Sequence, residues 1–391
     1  MHKVLTRLTP VVLLLAAVVL LAACGSDSSD SSSGEASTGE SSTAGTASLT
    51  ADQAAAEVDA ARAVVAKFDG PTESPQSIPP NKEIAVIYSV AVPLPLRAAE
   101  SVETAAGEIG WKTTLIDGRG SPQGYVDAMQ QAVNSGVDGI VLVAMPVPLL
   151  ASEIKKARDQ GIAVTAILPA LPAGDSKPAE FGLASYVSTN HSHDGYLMGQ
   201  WVVQDAPQGA KAIALESPEF PDLQRESEEF QRALADAGPE YEVVSTLESP
   251  VTDSEGSQGA QRLAAELRAH PEVKYAFVLF TNTFLQAQEL SGRTDVIGLS
   301  ADVDGWIPAL QEGAGLVLVG TDANVFGWYA VDSLIREFNG EPAIGAEGGG
   351  YAVSSQLVDA SNADSIKSDS IEVGYDYEEA WRRLWGLGSG G

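Results

Sequence analysis

A regular alternation of apolar strands and amphipathic helices from Ile84 to Leu168 is the feature that most restricts the fold of this chain. A short apolar run, Ile84 to Tyr88, precedes a segment from Arg97 to Ile109 whose apolar residues recur at helical spacing. The same order of strand and helix then repeats up to Leu168. Strands separated by helices of about 10–15 residues predict βαβ units and a parallel sheet, which binds ligands at the carboxyl ends of its strands.

The alternation restarts after a loop rich in proline, alanine and glycine, Pro169 to Glu180. Ala184 to Asn190 is predicted as a strand that leads into a helix, and six further strands are predicted between Lys211 and Val358. The chain therefore reads as an α/β protein with two doubly wound parallel-sheet domains of similar length. Their interface is the expected ligand cleft.

Composition and motifs exclude several classes of function. The chain of 391 residues has 23 Lys and Arg against 53 Asp and Glu, a formal net charge of −30. Such a charge argues against nucleic acid and against anionic membrane surfaces as partners. The sequence contains no GxSxG, P-loop, HExxH or CxxC motif and no complete dinucleotide fingerprint. We therefore expect neither an enzyme nor a bound cofactor.

The N-terminus has the organisation of a secretion signal. Lys3 and Arg7 precede an apolar run, Val11 to Ala23, that is shorter than the ~20 residues a membrane-spanning helix needs. Cys24, the single cysteine, follows Leu-Ala-Ala in a pattern that resembles the lipobox of bacterial lipoproteins. That resemblance implies cleavage of a signal peptide, residues 1–23, and lipidation of Cys24. The alternative is an ordinary signal peptide with an accidental cysteine.

A polar stretch separates this signal from the compact fold. Residues 24–49 are mostly Ser, Gly, Thr, Ala, Asp and Glu, and they predict a flexible tether. Thr50 and Gln53 resemble a capping box at the start of an Ala-rich helix that runs to Phe68. With the proline-rich linker after it, this helix forms a segment of residues 50–81. The sequence leaves open whether the helix docks on the body.

A series of short motifs occurs in a fixed order between Lys82 and Val358. They are Gly110-Trp111, Gln131 to Ile140, Gly161 to Val164, Ser188 to Asn190 with Gly195 and Gly199, Glu229 to Leu234, and His270 to Ala276. Together they resemble the type I periplasmic binding proteins of the ribose- and galactose-binding branch. The resemblance implies two lobes joined by three crossovers, near residues 186–190, 319–322 and 350–351, that close as a hinge over one small molecule.

The same resemblance implies domain bounds, location and partners. The first lobe would comprise residues 82–187 and 322–350, and the second lobe residues 188–321 and 351–391 with the C-terminal tail. The chain would be a monomeric, lipid-anchored receptor outside the cytoplasm that delivers a small molecule to an ABC permease. A sensory receptor for a membrane signalling protein is the alternative, and the sequence does not separate the two.

The ligand-binding positions depart from the pattern of sugar-binding relatives. Those relatives carry Asn and aromatic residues after the first strand and Asp-Arg after the fourth, whereas this chain has the largely aliphatic Ser89 to Pro95 and Leu168-Pro169. Asn282 alone remains of an Asn-Asp-Glu motif. The resemblance places ligand contacts at the equivalent positions, namely Ser89, Val92, Leu94, Pro169, Asn282, Phe284, Thr321 and Asp322. Because aliphatic walls do not satisfy buried hydroxyls, either the ligand is less polar than a sugar or its polar groups are bound from the second domain.

Polar residues of the second half supply the other predicted contacts. Glu216 and Phe220 belong to a loop that the fold directs at the cleft, and Asp222 on that loop alternatively caps the next helix. Asp302 and Trp306, together with Asp304, Asp322 and Asn324, form a group suited to a cationic or hydroxylated ligand with a ring stacked on Trp306. Helix caps and turns are the alternative explanation of these residues.

The sequence His191-Ser-His193-Asp194 has the spacing of a possible metal site. It lies at a predicted helix start, where Ser192 and Asp194 are also ordinary capping residues, and no third soft ligand is near in the sequence. We therefore predict no metal. Asn190 or His191 is predicted to contact the ligand instead.

Overall fold

A computed structural model describes residues 49–171, 177–217, 220–250, 257–345 and 350–388. The predicted signal peptide, Cys24 and nearly all of the predicted tether lie outside these residues. In the described part of the chain, no helix has both the length and the apolar character needed to cross a membrane.

The first sheet has six parallel strands and forms the first lobe. Its spatial order is β11-β5-β4-β3-β1-β2. The strands are β1 (Glu83–Tyr88), β2 (Lys112–Asp117), β3 (Gly139–Val143), β4 (Ala163–Ile167), β5 (Tyr186–Thr189) and β11 (Tyr351–Val353). The helices around it are α2 (Pro93–Glu108), α3 (Pro122–Ser135), α4 (Ala151–Asp159) and α10 (Phe326–Asn339).

The second sheet also has six strands and forms the second lobe. Its order is β12-β10-β9-β8-β6-β7, and only the pair of β10 and β12 is antiparallel. The strands are β6 (Ala210–Glu216), β7 (Tyr241–Glu248), β8 (Tyr275–Phe277), β9 (Ile297–Ser300), β10 (Leu316–Gly320) and β12 (Gln356–Val358). The helices are α5 (His191–Asp205), α6 (Pro221–Ala237), α7 (Ser257–Ala269), α8 (Thr281–Ser291) and α9 (Ile307–Gln311).

Alternate residues of a central strand pack on opposite faces of its sheet. In β1, Ile84 and Val86 belong to one core cluster with α2 and α10, while Ala85 and Ile87 belong to another with α3 and α4. All four are buried because helices cover both faces, which is why the strand reads as a continuous apolar run. The predicted fold class, two doubly wound α/β lobes, is confirmed.

The chain crosses between the lobes at three places in the hinge. These are Asn190 between β5 and α5, Thr321-Asp322 after β10, and Ser354-Ser355 between β11 and β12. The third crossing lies a few residues beyond the expected position near 350–351, because Tyr351–Val353 pairs in parallel with β5 of the first sheet.

Both ends of the body are placed differently from the expected bounds. The N-terminal helix, α1 (Ala51–Ala61), has the expected capping box but ends well before Phe68, and it docks on the second lobe. The last helix, α11 (Tyr377–Leu384), returns to the first lobe, where Trp381 and Trp385 join the core of α2 and α10. Assigning all of residues 351–391 to the second lobe is therefore corrected.

Candidate ligand-binding cleft

The cleft lies where loops at the carboxyl ends of both sheets meet. Arg97, in the helix that follows β1, approaches Asp304, in the loop that follows β9, with Nη1 3.6 Å from Oδ1. A Cβ added to Gly305 would lie 3.8 Å from Pro93 Cγ, so the backbones of the two loops are close. Carboxyl ends of parallel strands are where such folds bind ligands.

The first-lobe wall of the cleft is mainly aliphatic. Val92 and Leu149, at the carboxyl ends of β1 and β3, are 39% and 46% exposed, which is high for large apolar side chains. Leu94 is half-buried and Pro169 is buried. Leu149 was not among the predicted contacts, because the sequence places it at the start of a helix rather than in the short 3₁₀ turn found here.

The backbone at this wall is bent sharply at two neighbouring strand ends. Ala144 follows β3 with φ of 53°, and Leu168 follows β4 with φ of 47°, a region that residues other than glycine rarely adopt. Their amides donate to the carbonyls of Ile167 and Val187, both at 2.8 Å. Ser89 is buried beside them, and its amide donates to Val143 at 3.0 Å. The bends are therefore held by the sheet's own hydrogen bonds.

On the second lobe, Asp302 is engaged by its own loop and the adjoining helix. Its Oδ2 accepts the Thr281 amide at 3.0 Å and the Trp306 indole Nε1 at 3.2 Å. Burial raises the pKa of Asp302 to about 6. The two hydrogen bonds lower this pKa, but their effect is smaller than that of burial. Asp302 therefore orients Trp306 and the start of α8, as expected if it is a capping residue rather than a ligand contact. Trp306 is half-buried against the second-lobe core.

Asp304 and Asp322 are likewise held from within the protein. Asp304 is 2% exposed and accepts the Ser370 hydroxyl, while its Oδ2 has no partner among the described groups. Asp322 accepts the amide and side chain of Asn324 at 2.9 and 2.8 Å, and the Val373 amide at 3.3 Å. Burial raises the pKa of both carboxyls. Ser370 and Val373 belong to a C-terminal stretch whose position beside these carboxylates no sequence pattern predicts.

A buried ionic network lies at the first crossing. His191 Nδ1 is 3.0 Å from Glu226 Oε2, and His191 Nε2 is 3.2 Å from Ser188 Oγ and 3.5 Å from Asp222 Oδ2. Burial alone would lower the pKa of His191, but the Glu226 hydrogen bond and the charges of Asp222, Glu226 and Asp194 raise it to about 9. His191 is thus a cation that joins β5 to α6.

Two features of this network differ from the predicted cap chemistry. The residue that caps α5 is Asn190, whose side chain accepts the His193 amide at 3.1 Å, rather than Ser192 or Asp194. Asp194 instead accepts the hydroxyl of Ser355, at the third crossing, at 3.0 Å. Among the described residues, no three His, Cys, Asp or Glu side chains are grouped to hold a metal ion.

The remaining predicted contacts differ in how accessible they are. Phe220 and Asn282 are half-buried, and Thr321 is 7% exposed at the second crossing. Glu216 is half-buried and accepts Gln231 Nε2 at 2.9 Å. Phe284 is fully buried in the second-lobe core, where it packs against Gly298, so the expected ligand contact does not fit this position.

Comparison with known proteins identifies a family and several relatives with the same fold. The family described as periplasmic binding protein domain matches residues 86–367. The chain is similar to the ribose import binding proteins of Salmonella typhimurium and Escherichia coli, with 21% identity over 226 residues, 56% of this chain and 72% of each relative.

Among solved structures, the chain is similar to two solute-binding proteins. One is the 5-methylthioribose transporter solute binding protein of Thermotoga lettingae in complex with 5-methylthioribose, with a TM-score of 0.63, 20% identity, and coverage of 80% of this chain and 95% of that one. The other is an ABC transporter solute binding protein from Burkholderia graminis in complex with D-arabinose, with a TM-score of 0.61, 22% identity, and coverage of 76% and 100%. At these identities the likeness concerns the fold.

Proposed function

The chain belongs to the periplasmic binding protein family, and we propose that it is a lipid-anchored receptor that captures a small sugar-like solute and delivers it to an ABC import permease. Members of this family bind solutes outside the cytoplasm and are not enzymes, in agreement with the sequence. The observation that carries the proposal is the pair of sheets whose carboxyl-end loops meet across a hinge of three crossings.

The mechanism we propose is hinge closure. A solute that contacts both lobes stabilises the closed form relative to the open form, and the closed form is what a permease would recognise. Only the difference in affinity between the two forms shifts the equilibrium. Contacts on both walls are therefore required, and a solute held by one lobe alone would not close the receptor.

The proposed ligand carries an apolar group on a polar body. Val92 and Leu149, with the half-buried Leu94, offer aliphatic surface on the first lobe, whereas Asn282 and the second-lobe loops offer polar groups. Each buried hydroxyl left without a partner costs about 1–3 kcal/mol, so a sugar polar on all sides fits the first wall poorly. A pentose with an apolar substituent, as in 5-methylthioribose, matches both walls.

The proposed contacts on the polar side come from loops and crossings of the hinge. They are Asn190, Glu216, Phe220, Asn282, Asp302, Trp306, Thr321 and Asp322, with Ser89 at the margin of the aliphatic wall. Trp306 supplies a ring face for the C–H surface of a sugar. Asp302 and Asp322 act mainly by positioning their neighbours, because their oxygens already accept hydrogen bonds.

The test is a screen of the chain without residues 1–24 against 5-methylthioribose, D-arabinose, ribose, xylose, glucose and galactose. A solute present at 100 times its Kd adds about 2.7 kcal/mol of stability and raises the melting temperature. Small-angle scattering should then show a smaller radius of gyration with that solute. An unchanged scattering curve under saturation would contradict hinge closure. Micromolar binding of free ribose or glucose would contradict the ligand class.

The anchor is tested separately. Changing Cys24 to Ser in the full chain should release the protein from the membrane fraction, because the lipid on Cys24 is the proposed anchor and the apolar run of the signal is too short to span a membrane. Retention of the variant in membranes after a carbonate wash would place the anchor elsewhere.

A further inference from the structure

Two segments lie outside the residues that the family matches, and each of them contacts both lobes. We call residues 49–81 the strap and residues 368–388 the C-terminal segment. The match covers residues 86–367, so the strap lies wholly before it and the C-terminal segment wholly after it. Neither segment is needed to complete a strand of either sheet. What they do is therefore a property of this chain rather than of the matched domain.

The strap begins on the second lobe. The Leu49 amide donates to Asp236 at 3.0 Å, and Val58 of α1 is fully buried in the second-lobe core. Arg62, at the end of α1, pairs with Asp359 at 2.6 Å, and its carbonyl accepts Gln356 Nε2 at 3.0 Å. This end of the strap is fixed to the strand that follows the third crossing.

The strap continues onto the first lobe. The ring of Phe68 meets Trp381 edge to face, with centroids 5.1 Å apart. Asp69 accepts the Tyr329 hydroxyl at 2.5 Å and the Ser354 hydroxyl at 2.8 Å. Since Arg62 is held beside Gln356 and Asp69 beside Ser354, the strap runs alongside the third crossing in the opposite direction.

The C-terminal segment also crosses between the lobes. On the second lobe, Ile371 is buried in the core and the Asp369 carbonyl accepts the Gly305 amide at 2.8 Å. On the first lobe, Arg382 forms two hydrogen bonds with Glu108 of α2, at 2.8 and 2.9 Å. The chain thus passes between the lobes five times rather than three.

The two segments also bind each other. The Gly374 amide donates to the Val65 carbonyl at 2.9 Å, and Phe68 lies edge to face with Tyr375 at 6.3 Å. We propose that the strap and the C-terminal segment form a buckle across the hinge, and that this buckle limits how far the lobes open. The inference rests on the proposed hinge closure, whose moving parts it restrains.

The length of the strap limits how far its two anchors can separate. Seven peptide steps separate Arg62, held on the second lobe, from Asp69, held on the first, so the two anchors never lie more than about 25 Å apart. Wide opening would break either the ion pair of Arg62 with Asp359 or the bonds of Asp69 at Tyr329. Both are partly buried, so each break leaves polar groups without partners.

A disulfide can lock the buckle reversibly. A Cβ at position 374 would lie 3.7 Å from the Cβ of Val64, within the range of about 3.5–4.5 Å for disulfides. Gly374 does not have a positive φ, so Cys is compatible with its backbone. The substitutions Val64→Cys and Gly374→Cys are made with Cys24→Ser in otherwise full-length protein, and reduction gives the matched control.

The opening variant is Phe68→Ala, and its control is Phe338→Ala. Phe338 is also half-buried on the first lobe, but its ring packs on Trp111 of the same lobe, so it restrains no hinge. Without added solute, Phe68→Ala should raise the radius of gyration by a few per cent of its value of about 20 Å, and Phe338→Ala should not. The oxidised 64–374 disulfide should reverse the increase, and reduction should restore it.

The outcomes separate the buckle from the receptor function. Equal scattering by Phe68→Ala, Phe338→Ala and the unmodified chain overturns the buckle, as does an equal increase in both variants. If Phe68→Ala does not fold, Asp69→Asn takes its place with the same expectation. D-arabinose and 5-methylthioribose are added in parallel. If neither solute lowers the radius of gyration of the unmodified chain, closure by these solutes is contradicted. The comparison of Phe68→Ala with Phe338→Ala without solute still tests the buckle.

Discussion

The two lobes share a strand order but present different surfaces to the cleft. The first lobe exposes Val92 and Leu149, and its bent strand ends use backbone hydrogen bonds. The second lobe brings carboxylates to the same region, yet those of Asp302 and Glu226 already accept hydrogen bonds from protein groups. A cleft rich in acidic residues is therefore not necessarily an anionic site. Much of the free surface for a ligand is apolar and lies on the first lobe.

The lobes also differ in what stabilises them away from the cleft. The first lobe closes its core with rings from both chain ends, such as Trp385 stacked on Trp328 with centroids 5.3 Å apart. The second lobe relies on the charged network around His191, in which Asp222 and Glu226 belong to α6. Removal of a charge or a change of pH should therefore alter the stability of the second lobe more than that of the first.

The largest effect is expected from Glu226→Ala. It leaves the His191 cation, whose side chain is 15% exposed, without its main partner, and breaking a buried pair costs at most about 3–5 kcal/mol. Denaturant unfolding measures the loss, with Glu312→Ala, an exposed residue of the same lobe, as the control. A cost below about 1 kcal/mol for Glu226→Ala would show that the network does not stabilise the second lobe.

The same network should make stability depend on pH. The pKa of His191 is raised from its ordinary 6.5 to about 9, so its contribution is fully present below about pH 6.5 and is lost as pH rises through 9. The upper limit of this loss is about 3 kcal/mol. Melting temperatures at pH 7 and 9.5 should fall further for the unmodified chain than for His191→Gln. Parallel curves for the two proteins would mean that His191 stays neutral.

A third effect tests the polar wall. Asn282→Ala should weaken the solute found in the screen by about 1–3 kcal/mol, the usual cost of a missing partner to a buried polar group. Titration calorimetry measures it, and Asn134→Ala serves as a control because Asn134 is exposed near the end of α3, outside the proposed contacts. Equal weakening by both variants would show that the loss does not arise at the polar wall.

The smallest effect sharpens the contrast between the walls. Val92→Ser removes exposed aliphatic surface, and each buried CH₂ is worth about 0.8 kcal/mol. Binding of 5-methylthioribose should weaken by roughly that amount, while the weaker binding expected for D-arabinose, a sugar polar on all sides, should change less. If both sugars lose affinity equally, Val92 stabilises the loop and does not contact the apolar group of the ligand.

Local pattern was enough for the strands and helices of the central fold. Gly139–Val143 is a run of buried residues bounded by turns, and such a run has few alternatives to a central strand. The third crossing was misplaced because its position depends on which sheet Tyr351–Val353 joins, and that partner, Val187–Thr189, is more than 150 residues away. Sequence near residue 351 carries no sign of the pairing.

The candidate site was less predictable than the fold. A carboxylate after a strand, such as Asp302, contacts a ligand or caps a helix, and only the position of Thr281 and Trp306 decides between these roles. Arg97 was missed because it belongs to a predicted helix and its partners, Asp304 and Asp369, are far along the chain. Phe284 lies in a loop-to-helix position typical of contacts, but its ring turns into the core.

The closure of the first-lobe core by Trp381 and Trp385 has a consequence for how the chain acquires its structure. While the chain is being synthesised, the surface of α2 that contains Val102 has no cover until α10 and α11 exist, more than 200 residues later. Contacts this distant in sequence are slow to form, and an uncovered apolar surface promotes aggregation in the meantime. A chain that stops before Tyr377 should therefore behave as an incomplete lobe, however intact its first five strands are.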